Sequence, residues 1–390
     1  MRLLPTTLAN RGLDRPRLLL DEHQARRNIA FMAEKAAAAG VRFRPHFKTH
    51  QSAIIGNWFR DQGITALTVS SLEMAAWFAQ QGWLDITVAF PLNLRQLALV
   101  EQLSGKLQLG LLVDCSHTVS QLSTLTAADI RVWIEIDTGY QRSGILVERV
   151  DQVKRLLHQI TNSPRLRFAG LLTHSGQTYH ADSSSSVVER YNHTVRQLKA
   201  CRQELGLTAA GCPLSVGDTP GCTLAPDLKD VEEIRPGNFV FYDLMQERLG
   251  VCRVEEIALV VACPVVAVYP EQQRLVIYGG AAHFGRESLR GIDGEPVFGY
   301  VGLTDANGTL HLNRQTPLVT LSQEHGLIND LDGSLVNSVK PGDLLLLFPV
   351  HACLTADLYP VYHTLTGETV RRRRSNDSAV QTNICEEESI

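Results

Sequence analysis

Two patterns of apolar residues divide the chain. Up to about residue 250, short apolar runs of strand length alternate with longer stretches of helical character, and several of these stretches end at a glycine. Strands that alternate with helices in this way pair in parallel, so the region predicts an α/β domain. The predicted strands lie at 17–21, 41–44, 65–70, 85–90, 107–113, 131–137, 167–173, 213–217 and 237–242. The predicted helices lie at 22–39, 50–62, 71–81, 93–103, 117–126, 147–162 and 184–205.

Nine strands are one more than a closed eight-stranded barrel holds, so a doubly wound sheet stays an alternative on pattern alone. After residue 250 the pattern changes to β-rich segments joined by turns, which predicts an antiparallel β domain. From residue 371 onwards, four arginines and later three glutamates replace apolar residues, and such a segment cannot bury a core. We therefore expect one domain over 15–250, a second over 251–370, and a disordered tail over 371–390.

Composition narrows the range of partners. The 390 residues are 44% hydrophobic and 20% charged, with a formal net charge of −4. No basic surface of the kind that nucleic acid or anionic membranes require is indicated, so small-molecule chemistry is favoured. The N-terminus lacks an apolar core of signal-peptide length, and no later run reaches eighteen apolar residues. We expect a cytoplasmic protein without a membrane partner, whose eight cysteines are free thiols.

Lys48 is the leading candidate for covalent chemistry. It follows the alternating strand 41–44 and the strand-ending Pro45, so its amine is predicted at the C-terminal end of a strand. Arg44 and His46 are cationic neighbours that disfavour protonation of this amine. A free amine attacks a carbonyl to form a Schiff base.

A glycine-bearing turn follows the strand at 213–217. Its backbone N–H groups could hold a phosphate, although turns of this composition are also common structural elements. The candidate contacts are Ser215, Gly217, Asp218 and Thr219. A carboxylate repels a phosphate dianion, so we expect the Asp218 side chain to point away and to cap the following helix.

His351 and Cys353 form the second candidate site. On a strand, residues two apart point to the same face at a separation of about 7 Å. An imidazole and a thiolate at that separation can share one ion, and this pairing suits Zn²⁺. Two protein ligands leave open positions, as catalytic sites require, although a lone His-x-Cys pair is more often without a metal.

Taken together, seven strings resemble the D-threonine aldolase and D-serine dehydratase family, whose members are relatives of alanine racemase. They are R-P-H-F-K-T-H at 44–50, D-T-G-Y-Q-R-S-G at 137–144, H-S-G-Q-T-Y at 174–179, S-V-G-D-T-P-G at 215–221, R-P-G-N-F-V-F-Y-D at 235–243, S-Q-E-H-G at 322–326 and H-A-C at 351–353. The resemblance implies an alanine racemase-like (β/α)8 barrel with a C-terminal antiparallel β domain. It also implies that the first strand, at about 17–20, belongs to the β domain, which accounts for the ninth strand.

The resemblance further implies pyridoxal 5′-phosphate (PLP) on Lys48 and a divalent metal on His351 and Cys353. Zinc is the expected ion, with manganese or magnesium as alternatives. Other roles are implied only by the matching strings. They are a catalytic cation near the cofactor's phenolic oxygen for Arg142, ring-pocket positions for His174 and Tyr179, a second phosphate contact for Tyr242, and an acid–base or metal-supporting role for His325.

The cysteine at the second ligand position matches the dehydratases of this family, whereas the aldolases carry aspartate there. We therefore expect a lyase that eliminates water from a D-3-hydroxy amino acid, of the D-serine or D-threo-3-hydroxyaspartate type, to give a 2-oxo acid and ammonia. The alternative is retro-aldol cleavage to glycine and an aldehyde. A non-catalytic PLP-binding protein or a racemase is less favoured, because neither uses the metal pair. Family members pair through the β domain, so we expect a homodimer.

Overall fold

A computed structural model describes residues 1, 13–126, 129–374 and 377 of the protein. Strands and helices alternate through its first part. The strands are β1 (Arg17–Leu20), β2 (Arg42–Phe43), β3 (Ala66–Val69), β4 (Asp85–Pro91), β5 (Gln108–Val113), β6 (Ile130–Asp137), β7 (Ile145–Leu146), β8 (Leu166–Thr173), β9 (Leu214–Val216) and β10 (Glu233–Ile234). The helices are α1 (Glu22–Ala38), α2 (Ala53–Arg60), α3 (Leu72–Gln80), α4 (Leu97–Ser104), α5 (Ser116–Leu122), α6 (Val150–Asn162), α7 (Ser184–Glu204), α8 (Thr219–Leu224) and α9 (Leu244–Arg248).

Eight of these strands form a parallel sheet that nearly closes into a barrel. Their order is β2-β10-β9-β8-β6-β5-β4-β3, and a parallel bridge between His46 and Thr68 brings the two ends together. The strands are apolar and buried on both faces, as a sheet covered by helices requires. The barrel predicted from the resemblance is confirmed, and the doubly wound alternative is wrong.

The second sheet is mainly antiparallel and follows the barrel in sequence. Its order is β12-β17-β16-β15-β18-β11-β1-β19-β20, and a small hairpin pairs β13 with β14. The remaining elements are β11 (Leu259–Tyr269), β12 (Arg274–Tyr278), α10 (Ala281–Phe284), β13 (Leu289–Arg290), β14 (Pro296–Val297), β15 (Gly299–Thr304), β16 (Leu310–Leu321), β17 (His325–Asn329), β18 (Leu344–Pro349), α11 (Ala352–Asp357), β19 (Val361–Thr364) and β20 (Thr369–Arg371).

The first strand joins the second sheet. β1 pairs antiparallel with β11, where Leu18 lies opposite Val261, and parallel with β19, where Leu19 lies opposite His363. Asp21 follows β1 directly and caps helix α1 by accepting a hydrogen bond from Gln24 N at 3.0 Å. The two domains are therefore linked by the chain at both ends of the barrel.

The predicted strand at 237–242 is absent from the described structure. The barrel closes instead on Glu233–Ile234, and a 3₁₀ turn covers Asn238–Val240. Three consecutive side chains after Asn238 are all buried, as they also are in barrel strands that are covered on both faces, so burial alone does not distinguish the turn from a strand. Tyr242 then has φ of +49°, a left-handed conformation that turns the chain towards helix α9.

The expected start of the tail, at residue 371, also needs correction. Arg371 ends β20, and the Arg372 side chain is buried. Its guanidinium donates to Tyr359 O at 3.1 Å and to Asp357 Oδ1 at 2.7 Å. These partners lie on the β domain, and they explain why an arginine-rich segment is held here. The rest of the expected tail, apart from 371–374 and 377, lies outside the described residues.

No helix within the described ranges is long and apolar enough to cross a membrane.

Arg371 and Arg372 allow a matched test of this packing. Arg372→Ala removes two hydrogen bonds from a buried guanidinium and should lower the free energy of unfolding by about 1–3 kcal/mol. Arg371→Ala removes an exposed side chain and should change it by less than about 0.5 kcal/mol. Urea unfolding followed by circular dichroism measures both. Equal effects of the two substitutions would contradict the structural role of Arg372.

Candidate active site

A cavity of about 720 Å³ opens between the barrel and the β domain. Its barrel wall consists of residues at or after the C-terminal ends of the parallel strands, which is where barrel enzymes carry their active sites. Its other wall comes from helix α11 and from the segment that follows α10. The lining residues used below are His46, Lys48, Tyr140, Arg142, His174, Tyr179, His180, Gly217, Asp218, Thr219, Arg235, Gly237, Asn238, Glu287, His351, Cys353 and Leu354.

Lys48 is accessible to solvent and lines this cavity. The surrounding walls desolvate the amine and thereby lower its pKa, while the Cys353 thiolate opposes the shift and the cations Arg142 and Arg235 add to it. A lowered pKa increases the fraction of neutral, nucleophilic amine near pH 7. The sequence argument named Arg44 and His46 as the causes, whereas Arg44 is instead paired with Asp85 and Glu233 on the other side of the strand.

The turn that carries Lys48 is held from several sides. Gln51 has φ of +44°, which is unusual for a residue with a side chain. Its amide Nε2 donates to Lys48 O at 3.2 Å and to Asp357 Oδ1 at 3.0 Å, and its own carbonyl accepts from Arg373 N at 2.6 Å. The C-terminal segment of the chain thus braces the lysine turn.

Two imidazoles face the same space as Lys48. Burial lowers the pKa of His174 to about 3 and lowers that of His46 well below its usual value, so both rings are neutral at pH 7. His174 Nδ1 donates to Gly217 O, which fixes the tautomer. The guanidinium of Arg142 lies 5.3 Å from the ring centre of Tyr140, within cation–π distance.

Gly217, Asp218 and Thr219 line the cavity beside Gly237 and Asn238. A Cβ on Gly217 would lie 2.9 Å from Arg235 Nη1, and a Cβ on Gly237 would lie 2.9 Å from His46 O. Both positions therefore need glycine, and the backbone can approach a bound group closely. The Tyr179 hydroxyl accepts from Thr219 N at 3.3 Å.

The Asp218 side chain points away from the cavity, as expected. It caps α8 by accepting from Gly221 N, and it also accepts from Thr178 Oγ1 at 2.9 Å. Burial raises the pKa of Asp218 to about 6. At pH 7 this carboxyl is still mostly ionised, so its contacts with Gly221 N and Thr178 Oγ1, rather than protonation, limit its repulsion of an anion in the neighbouring cradle.

Three of the expected site residues do not line the cavity. Ser215 Oγ donates to Glu233 at 2.7 Å and accepts from Arg235 Nε at 2.7 Å, inside the barrel. The hydroxyl of Tyr242 lies 3.5 Å from Thr223 Oγ1, because the left-handed turn directs the ring towards α8. His325 is exposed on β17, opposite Tyr278. Direct contact of these three with a cofactor is not supported within one chain.

His351 and Cys353 lie together, but not for the expected reason. β18 ends at Pro349, His351 precedes α11, and Cys353 lies in the first turn of that helix. The strand geometry predicted for the pair is therefore wrong. A helical turn brings the imidazole and the thiol into hydrogen-bond contact instead.

The electrostatics of the pair favour a thiolate. Burial opposes ionisation of the Cys353 thiol, but the hydrogen bond and the charge of His351 outweigh it and lower the pKa. Burial likewise opposes protonation of His351, yet Cys353 and Glu287 raise its pKa to about 11. Among the described residues, no group of three or more histidine, cysteine, aspartate or glutamate side chains could hold a metal. A metal here would have two protein ligands.

Several contacts connect the thiol to the lysine turn. Thr49, the residue after Lys48, places its Oγ1 3.2 Å from Cys353 Sγ. Asn238 Nδ2 lies 3.6 Å from the same sulfur and donates to Asp243 Oδ2 at 2.6 Å. The amine and the thiol therefore belong to one cavity and one hydrogen-bonded framework.

Sequence reasoning missed three residues of this site. Thr49 lies within the string 44–50, and Arg235 lies within the string 235–243. Functional roles in these strings were predicted for Lys48 and Tyr242 instead. Burial lowers the pKa of Arg235 to about 10, although Glu233 opposes this shift, and the cation borders the cavity. Glu287 contacts His351 Nδ1, and no motif in the sequence marked it.

This set of donors fits both expected groups. The Lys48 amine with its lowered pKa, the glycine-lined cradle and the cations Arg142 and Arg235 suit an anionic aldehyde cofactor such as PLP. The imidazole and thiolate of the His351–Cys353 pair suit a borderline-soft divalent ion such as zinc.

Comparison with known proteins agrees with the fold and the motifs. Residues 20–244 match the family described as "Alanine racemase, N-terminal domain", and residues 258–365 match the one described as "Putative serine dehydratase domain". The chain belongs to the family of the alanine racemase N-terminal domain, whose model matches more than half of it. Relatives that match the chain along most of its length include dehydratases and aldolases of D-amino acids.

Three relatives illustrate the range. D-threo-3-hydroxyaspartate dehydratase of Delftia sp. (strain HT23) is 32% identical and covers 91% of this chain and 95% of its own. D-serine dehydratase of Dictyostelium discoideum is 28% identical over 92% of this chain and 94% of its own. D-threonine aldolase of Arthrobacter sp. is 25% identical over 89% of this chain and 88% of its own.

Solved structures agree with this assignment. A cysteine-to-alanine mutant of D-threo-3-hydroxyaspartate dehydratase in the metal-free form superposes with a TM-score of 0.82 at 28% identity. It covers 93% of this chain and 98% of its own. The fold of this chain is therefore the alanine racemase-like fold of its relatives.

Asp218 provides a pH test of the cradle. Its pKa of about 6 in the folded protein exceeds the unfolded value of 3.8, so the wild type should lose stability as pH rises between these values. A difference of about two pKa units corresponds to about 3 kcal/mol. Asp218→Asn keeps an oxygen acceptor without the charge, so it should match the wild type near pH 4 and be up to about 3 kcal/mol more stable at pH 8.

Urea unfolding of the cofactor-free protein at the two pH values measures this difference. Asp182→Asn, at an exposed position, serves as the control and should show no comparable pH dependence. A gain for Asp218→Asn that is equal at both pH values would contradict a raised carboxyl pKa.

Proposed function

We propose that the chain is a PLP- and metal-dependent lyase that eliminates water from a D-3-hydroxy amino acid of the D-serine or D-threo-3-hydroxyaspartate type. The products would be a 2-oxo acid and ammonia. One observation carries the proposal: the Lys48 amine and the His351–Cys353 pair line the same cavity. The amine that would carry the cofactor and the two residues that would hold a Lewis-acid metal could then act on one substrate.

Lys48 would hold the cofactor covalently, with Gly217, Thr219 and Gly237 around its phosphate and Arg142 beside its ring. When bound, PLP supplies an electron sink for the negative charge that develops at the substrate's α-carbon. The chain supplies the base: the amine of Lys48, released when the substrate's amino group takes its place, removes the α-proton. The lowered pKa of Lys48 increases the fraction of this amine that is neutral and able to accept that proton.

His351 and Cys353 would hold the metal through an imidazole nitrogen and the thiolate. A divalent ion there would supply Lewis-acid stabilisation for the departing β-hydroxide, an effect worth several kcal/mol. Zinc is our first choice because the thiolate is a soft ligand, with manganese or magnesium as the alternatives. Lys48 would then act at the α-carbon of the substrate, and the metal held by Cys353 and His351 would act at the hydroxyl on the neighbouring β-carbon, as a β-elimination requires.

The alternative reaction is retro-aldol cleavage of the D-threonine aldolase type. Cysteine as the second ligand and the greater identity to the dehydratases support elimination. A non-catalytic PLP-binding role or a racemase activity has no use for the metal pair. A homodimer, supported by the family resemblance, and a cytoplasmic location remain part of the proposal.

Product analysis separates the two lyase reactions. With metal present, D-serine should yield pyruvate and ammonia, and D-threo-3-hydroxyaspartate should yield oxaloacetate and ammonia. An aldolase would instead convert D-threonine to glycine and acetaldehyde without ammonia. Glycine as the dominant product would overturn the dehydratase assignment.

The metal should affect rate far more than cofactor binding. A strong chelator or His351→Ala should lower kcat at least about 100-fold, since several kcal/mol of transition-state stabilisation are lost. The visible absorbance of the bound cofactor should persist. His311→Ala, at an exposed histidine of the β domain, is the control and should keep full activity. Unchanged turnover after complete removal of metal would exclude the Lewis-acid role.

Lys48→Ala should abolish the absorbance of covalently bound PLP and its fixation by borohydride while the protein stays folded. Lys35 is a matched control, because burial also lowers the pKa of this amine but its Nζ donates to Thr223 O, away from the cavity. Lys35→Met should retain the borohydride-fixed cofactor. Fixation that survives in Lys48→Ala would show that another lysine is the anchor.

A further inference from the structure

We propose that Glu287 is a positioning residue for the metal site, which fixes the ring of His351 so that Nε2 and the Cys353 thiolate face the ion. The inference rests on the proposed metal-dependent function and extends it to a residue outside every motif. Glu287 lines the cavity, and its carboxylate contacts His351 Nδ1.

The hydrogen bond determines the tautomer of His351. A carboxylate only accepts, so Nδ1 must carry a proton, and Nε2 is the nitrogen that can give up its proton and offer a lone pair to a metal. A histidine that ligates a metal through one nitrogen is oriented and made more basic by such a partner on the other. Glu287 thus selects the ring nitrogen that can share an ion with Cys353.

Contacts with α11 itself place Glu287. Thr355 Oγ1 donates to Phe284 O at 2.8 Å, which ties the end of α10 to the helix that carries Cys353. A Cβ on Gly285 would lie 3.2 Å from Leu354 Cβ, and Gly285 has φ of +72°, so the chain passes close over the helix before it reaches Glu287. The carboxylate and the two ligands are therefore parts of one small packed unit.

The charges at the site are consistent with this role. The hydrogen bond with His351 lowers the pKa of Glu287, and burial opposes the shift. A carboxylate and a thiolate together carry two negative charges, which match one divalent ion. His180, on the barrel side of the cavity, also favours the ionised carboxylate. Glu287 thus contributes charge to the site without being a ligand.

Metal affinity tests the proposal without reference to turnover. The protein is stripped of metal with a chelator, keeps its bound cofactor, and is titrated with Zn²⁺ against a chromophoric chelator. Replacing an outer partner of a ligating histidine typically weakens metal binding 10–100-fold. We expect that loss in Glu287→Ala. Glu287→Gln should lose less, because its amide oxygen can still accept from Nδ1–H.

Titration with Co²⁺ gives a second readout. The thiolate-to-cobalt absorption should appear in Glu287→Ala at saturating Co²⁺, because Cys353 is intact, but its midpoint should shift to higher metal concentration. Asp305→Asn is the matched control: Asp305 pairs with His311 at 3.0 Å on the exposed surface, so loss of this carboxylate should leave metal affinity unchanged.

The outcomes distinguish this inference from the proposed function. If His351→Ala binds Zn²⁺ as tightly as the wild type, the metal site itself is misassigned. If His351→Ala loses binding but Glu287→Ala and Glu287→Gln both retain wild-type affinity, the metal site stands and the role of Glu287 is refuted. Glutamine and methionine are similar in size to glutamate but only glutamine offers an acceptor, so rescue by Glu287→Gln and not by Glu287→Met supports positioning, whereas equal rescue by both would show a packing role.

Discussion

The buried carboxylate of Asp243 is the interaction on which the geometry of the cavity depends. It accepts from Asn238 Nδ2 at 2.6 Å, from Ala352 N at 2.8 Å and from Gln246 N at 3.0 Å. These donors come from the end of the barrel, from the turn between His351 and Cys353, and from helix α9. Burial raises the pKa of Asp243, and leaving any of these buried donors without a partner would be costly. One side chain therefore connects the barrel side of the cavity with the turn that carries His351 and Cys353.

The two domains determine the chemistry of each other's residues. The barrel wall desolvates Lys48, and the β domain supplies Cys353, whose negative charge raises the amine's pKa against that effect. In return, the Lys48 cation helps to lower the pKa of Cys353. The contact between Thr49 and Cys353 couples the two positions physically. Neither domain alone would produce these pKa shifts of the Lys48 amine and the Cys353 thiol.

Relatives with this fold include dehydratases, an aldolase and racemases, so the fold does not select the reaction. The choice among these reactions must therefore depend on the few groups near the substrate's β-carbon. Under the proposed function those groups are His351 and Cys353, supported by Glu287 and Thr49. Under the same proposal the barrel would hold the cofactor, and the β domain would hold the groups that distinguish one reaction from another.

The sequence by itself determined the alternation of strands and helices, the change to a β domain, and the lysine and His-x-Cys strings, because these are local patterns and short motifs. The expected strand at 237–242 failed because three consecutive buried residues look the same in a strand and in a buried turn. The H-x-C pair was recognised but given strand geometry, since spacing alone does not distinguish a strand from the first turn of a helix. Only the tertiary structure decided that Arg372 is buried, that Ser215 and Tyr242 turn away from the cavity, and that Glu287 contacts His351. Such contacts join residues far apart in sequence, and their partners follow from packing rather than from any local preference.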